Sequence, residues 1–147
     1  MKKISKNISY KEATHSNYAK KYKIANKPDD QQIENMKLVA EEVFQPLREW
    51  ADHPIKVNSF FKSKKLNSGI GGSSVSSHLT GNAIDITTLG EKTNLELFNY
   101  IKDNLDFDQL IWEFGSENPK WIHVSFKEKD NRKQVLKTLR KGIYYTL

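Results

Sequence analysis

The stretch Ser76-Ser77-His78-Leu79-Thr80-Gly81-Asn82-Ala83-Ile84-Asp85-Ile86 sets a histidine and an aspartate seven residues apart, with a glycine between them at the start of a strand. Much later, Trp121-Ile122-His123-Val124-Ser125-Phe126 alternates like a short strand and carries one histidine at its centre. Two imidazoles and one carboxylate form a three-donor set that zinc accepts, with a fourth position left for water. The chain is organised around bringing these two segments together.

Side-chain phase says which face each donor takes. From Ala83 to Ile86, Ile84 and Ile86 point one way while Ala83 and Asp85 point the other, and the small Ala83 leaves room beside Asp85. Gly81 lets the backbone turn closely beneath His78. Phe107 to Phe114 reads as a further strand, with Leu110, Trp112 and Phe114 on one face and Gln109, Ile111 and Glu113 on the other. Gly115 to Pro119 is a turn, so this strand and Trp121–Phe126 should pair as an antiparallel hairpin. Ile122, Val124 and Phe126 then face the core, and Trp121, His123 and Ser125 face the site. Glu113, in a site-facing phase, can approach His123.

The remaining segments supply the scaffold. Ser9-Tyr10-Lys11-Glu12 has the spacing of a capping box and predicts a short helix through about Lys20, followed by a turn at Asn26 to Asp29. From Asp29 to Trp50, apolar residues at Ile33, Met36, Ala40, Val43, Leu47 and Trp50 form one helical stripe, the expected main core helix. Pro46 should kink it or end its regular part. Ile55 to Phe60 alternates like a half-buried strand. Lys62 to Ser77 is rich in Gly, Ser and Lys; the Walker spacing is absent, so it reads as an irregular loop leading to His78. Thr93 and Glu96 form a second capping box opening a helix with Leu97, Phe98, Ile101 and Leu105 inward. Asp130 to Arg140 is expected to be a short helix with Val135, Leu136 and Leu139 inward and Gly142 as its C′ residue.

At 147 residues the chain is expected to be one domain, 1–147. It has no cysteine, so disulfides and thiolate metal sites are excluded. The net charge of +6 favours anionic partners. The lysines are scattered and no nucleic-acid-binding signature accompanies them, so nucleic acid is not the expected partner, whereas cell-wall polymer is also anionic. No apolar run approaches a membrane span, and the charged N-terminus lacks the apolar region of a signal peptide. Synthesis in the cytoplasm without a signal peptide is the expectation.

The segment from Ser76 to Asp85 resembles the Ser-x-His-x-x-Gly-x-Ala-x-Asp signature of the D-alanyl-D-alanine carboxypeptidase family of zinc peptidases, which includes phage endolysins that cut peptidoglycan stem peptides. Trp121-Ile122-His123-Val124 resembles the Trp-x-His-Val segment that carries the family's third ligand. Gln45-Pro46-Leu47-Arg48, Phe107 to Phe114 and Asn131-Arg132-Lys133-Gln134-Val135-Leu136 are similar to segments of its small single-domain branch, so the likeness spans nearly the whole chain. It implies an α+β fold of the hedgehog/DD-peptidase kind, a small antiparallel sheet with flanking helices. It also implies Zn2+ held by His78, Asp85 and His123, and a carboxylate general base acting on water. A peptidoglycan peptide is the implied substrate and a monomer the expected state, acting at the bacterial cell wall, with holin-assisted release if the protein is an endolysin. His15 and His53 lie in no metal-like context.

Two departures matter. Many relatives place the catalytic carboxylate three residues before the last ligand, where this chain has Lys120. Glu113 is the expected substitute, ahead of Glu117 and Asp108. Ser59-Phe60-Phe61-Lys62-Ser63 resembles the family's Ser-Gly-Tyr-Arg-Ser, so Lys62 stands where an arginine is thought to bind substrate or the developing oxyanion. Lysine keeps that charge without the bidentate fork. Ser76 is expected to steady the ligand loop. Lys120 and Lys62 are also the features that favour a second reading, a zinc-containing peptidoglycan-binding module without catalysis. A zinc-stabilised interaction domain with no wall ligand is the third.

Overall fold

The computed structural model describes residues 3–147. A small hairpin, β1 (Lys3–Ser5) with β2 (Ile8–Ser9), leads into α1 (Tyr10–Thr14) and α2 (Asn17–Lys21). The Ser9–Glu12 capping box forms as predicted, but the expected single helix is two. Ser16 accepts from the Ala19 N–H and caps a fresh helix, because a serine oxygen competes well for orphan donors.

The main core helix runs from Asp30 to Ala51 in three parts: α3 (Asp30–Val39), a π-helical segment (Ala40–Phe44) and α4 (Gln45–Ala51). Pro46 accounts for the widened turn, since a proline ring clashes with the carbonyl four residues back and brings no N–H. Met36, Ala40, Val43 and Leu47 of the stripe are fully buried. Trp50 is not: it is half-exposed and stacks on Tyr100 at 4.2 Å.

The sheet combines β3 (Ile55–Ser59), β4 (Ala83–Thr88), β5 (Gln109–Glu113), β6 (Trp121–Ser125), β7 (Gln134–Arg140) and β8 (Ile143–Thr146). Its order is β3-β4-β6-β5-β7-β8, antiparallel throughout except for the parallel pair β5–β7. The expected hairpin is present as β5–β6, with Ile111 opposite His123 and Glu113 opposite Trp121. Beneath one face, α3, α4 and α6 (Asn94–Asn104) cover Ile84, Ile86, Leu110, Ile122 and Val124, each fully buried. The architecture is α+β, and the other face is left for chemistry.

Two expectations are corrected. Lys62 to Ser77 is not wholly irregular: Ser63 caps a short helix, α5 (Lys64–Gly69), through the Leu66 N–H. The predicted helix over Asp130 to Arg140 is a strand, β7, and Gly142 is a hairpin residue at φ 84° rather than a helix C′ position. The apolar spacing of Val135, Leu136 and Leu139 mimics a helical stripe. Pairing decides otherwise, because β5 offers a free edge and Ile143-Tyr144-Tyr145-Thr146 returns as the strand that flanks β7.

Asp108 ties this addition to the sheet. It is 2 % exposed and accepts from Arg132 Nε at 3.0 Å and Nη2 at 2.9 Å, with Lys127 Nζ at 3.5 Å. Burial alone would raise its carboxyl pKa; the hydrogen bonds and charge of Arg132, with Lys127, outweigh burial and hold it below the ordinary carboxylate range. A group depressed in this way stabilises the fold above its unfolded pKa, and that contribution is lost as pH falls through the folded value. Asp108→Asn is therefore expected to cost about 2–3 kcal/mol at neutral pH. Urea denaturation at neutral and acid pH checks this, with a smaller difference between variant and wild type at acid pH.

Candidate metal centre

His78 lies on a 3-10 turn (Ser77–Thr80), Asp85 on β4 and His123 on β6. The turn is fixed at both ends. Ser76 Oγ accepts from the His78 N–H at 3.2 Å, the steadying role expected of it. Gly81 closes the turn at φ 82°, and a Cβ there would lie 2.5 Å from the Gln32 carbonyl oxygen. Gly81→Ala is accordingly expected to destabilise the protein by about 2–3 kcal/mol and to weaken metal binding by moving His78. Thermal denaturation and a metal titration on the same sample test both effects.

Asp85 and His123 sit directly opposite each other on neighbouring strands, the arrangement that brings Cβ atoms closest. His123 Nδ1 lies 2.9 Å from Asp85 Oδ1, and His78 Nε2 lies 3.2 Å from Asp85 Oδ2. One donor atom from each of the three residues falls within 4.8 Å of the others. His78 Nδ1 lies 2.7 Å from the Phe60 carbonyl oxygen, which can only accept, so Nδ1 donates there and Nε2 is the nitrogen left facing Asp85. Two imidazoles and a carboxylate brought to one point suit a divalent metal of the zinc type. The Phe60 carbonyl was not foreseen, since a backbone acceptor leaves no signature in side-chain identity.

Burial would push the Asp85 carboxyl up, but the charges and hydrogen bonds of His78 and His123 outweigh it and hold the group far below the ordinary carboxylate range. Asp85 therefore stays ionised and ready to ligate.

Glu113 ends β5 on the same sheet face, diagonal to His123 and directly opposite Trp121. Burial raises its carboxyl pKa; the charge of Asp85 adds to that, while His123, the Trp121 side chain and Lys62 pull it down, leaving a net rise. The charge of Lys62 thus reaches Glu113, and its backbone N–H donates to the His78 carbonyl at 3.2 Å. Asp108 is committed to Arg132, Glu117 is exposed in the turn, and Lys120 is exposed. His53 is a turn histidine, with Nδ1 at 2.9 Å from the Pro54 carbonyl oxygen and Nε2 accepting from the Lys92 N–H. Tyr144 of β8 lies beyond the helix expected over Asp130 to Arg140, and that expectation gives it no place at the site. The β-forming run Ile143-Tyr144-Tyr145-Thr146 after a glycine was the available signal.

No curated protein matches the chain. A family model described as Peptidase M15 matches residues 6–125, which take in His78, Asp85, Glu113 and His123. With most of the chain inside that match and the three donors gathered on one sheet face, the protein belongs to the peptidase M15 family of metallopeptidases.

Proposed function

We propose that the protein is a zinc-dependent peptidase that hydrolyses amide bonds in peptidoglycan stem peptides, in the setting of a phage or prophage endolysin or a bacterial wall-remodelling enzyme. The observation that carries this reading is the convergence of His78 Nε2, Asp85 and His123 Nδ1 beside a second, partly buried carboxylate, Glu113. When bound, zinc supplies an acidified water and Lewis-acid polarisation of the scissile carbonyl. The remaining work belongs to the chain. Glu113 takes the proton released from water and delivers it to the leaving amine. Its raised pKa suits that task, because a proton shuttle works best when its pKa approaches the working pH. Lys62 faces Glu113 with a fixed positive charge that attracts a substrate carboxylate or the oxygen on which negative charge develops. Positive charge over the whole chain steers the protein towards anionic wall polymer.

The test is digestion of purified peptidoglycan, with bound zinc counted and fragments read by mass spectrometry. Release of stem-peptide fragments by metal-loaded protein, lost on chelation and restored by zinc, supports the reading, and the fragment masses name the bond. Metal-loaded protein that sediments with wall but releases nothing would sink the catalytic claim and leave the binding module that Lys120 and Lys62 favour.

A further inference from the structure

We infer that Tyr144, on the C-terminal hairpin beyond the matched family region, contacts the substrate on the leaving-group side of the scissile bond and sets part of the selectivity there. The inference rests on the wall-peptidase reading above. Its basis is strand register. Parallel pairing sets Ile111 opposite Leu136 and Glu113 opposite Thr138, and antiparallel pairing sets Leu136 opposite Thr146 and Lys137 opposite Tyr145. Directly paired residues share a face, so Leu136 and Thr146 continue the row of Asp85, His123 and Ile111 across the sheet. Tyr144, two residues from Thr146, points to that same face. The β7–β8 register shifts between Lys137 and Arg140, and the charges of Glu113 and Asp85 reach the Tyr144 phenol, as a place on that face requires.

Two strand spacings separate the backbones of Glu113 and Tyr144 by about 10 Å. Thr138 of β7 is 1 % exposed and turns its hydroxyl to the Arg140 carbonyl at 2.6 Å, so it is covered and a ligand at this edge of the sheet meets Tyr144 instead. Tyr144 itself is 52 % exposed and free to meet a ligand. Burial, then the charges of Glu113 and Asp85, raise its phenol pKa, so it is an O–H donor in the working range. The carboxylate that protonates the leaving amine must lie on that amine's side of the bond. In the order β4-β6-β5-β7-β8, Tyr144 lies on Glu113's side of Asp85 and His123, so it meets the residue whose amine departs.

Tyr144→Ala and Tyr144→Phe are compared with Tyr145→Ala, an equally exposed tyrosine on the opposite face beside Lys137. The probe is a mixture of soluble muropeptides released from wall by a muramidase. Tyr144→Ala is expected to raise KM about tenfold, with Tyr144→Phe rising less, kcat and bound zinc held, and a changed ranking among leaving groups. Tyr145→Ala should match wild type. If Tyr144→Ala cleaves the mixture with wild-type KM and product ratios, the inference falls while the peptidase reading stands. If wild type binds muropeptides without cleaving them, the comparison is made on Kd and an unchanged Kd overturns it. Wild type that neither binds nor cleaves them overturns the reading and this inference together.

Discussion

Replacing Glu113 by Gln is expected to lower kcat on wall peptides about 10²–10⁴-fold while bound zinc and the thermal midpoint stay at wild-type values. The glutamine keeps the size of the side chain and an acceptor oxygen for Trp121, but it cannot take or hand on a proton. Zinc should be retained because Glu113 is not among the three converging donors. The pH profile separates a proton shuttle from a packing role. The base form is the carboxylate, so wild-type kcat/KM falls as pH drops through the Glu113 pKa, which burial has raised above the ordinary range. The residual activity of Glu113→Gln should lack that limb down to the pH at which the metal itself is released. A variant that cleaves at the wild-type rate removes Glu113 from the proton path.

Glu113 was legible as a candidate because strand phase is a local property. Once Phe107 to Phe114 and Trp121 to Phe126 are paired across a turn, alternation alone puts Glu113 and His123 on one face. The same logic holds for Asp85 beside Ala83, and for the capping boxes at Ser9 and Thr93, where three-residue spacing encodes the hydrogen bonds that form. What could not be read locally was the edge of the sheet. Val135, Leu136 and Leu139 satisfy a helical stripe, yet β5 was left with an unpaired edge that a parallel strand could fill. That choice depends on contacts remote in sequence, and it carried Tyr144 onto the metal face unseen. The break at His15 and Ser16 is a smaller case, in which one serine supplied a cap that periodicity does not register.

Removing the metal donors should have a larger effect than removing the proton shuttle. His123→Ala is expected to bind no zinc at stoichiometric concentrations and to reduce wall cleavage to background, because two donors leave the ion too weakly held and too open to solvent. The loss should also appear in stability. A ligand that binds only the folded state stabilises it by about 4 kcal/mol at a thousandfold excess over Kd. For a chain of this length that corresponds to a rise in thermal midpoint of about 8–16 °C. Wild type should show this rise on adding zinc and lose it on chelation, whereas His123→Ala should show neither. Acid should act like chelation, because imidazole ligates only when neutral, so the zinc-dependent rise shrinks as pH is lowered. The geometry adds a further expectation. Asp85 bridges both imidazoles, at 3.2 Å from His78 and 2.9 Å from His123, so Asp85→Ala strips two contacts at once and removes the one anionic donor of the set. Its metal affinity should fall at least as far as that of His123→Ala. Calorimetric scans with and without zinc, run beside the digestion assay, decide the matter. A midpoint and a cleavage rate that both ignore zinc and chelator would mean that the three donors hold no functional ion, and the hydrolytic mechanism built on them would go with it.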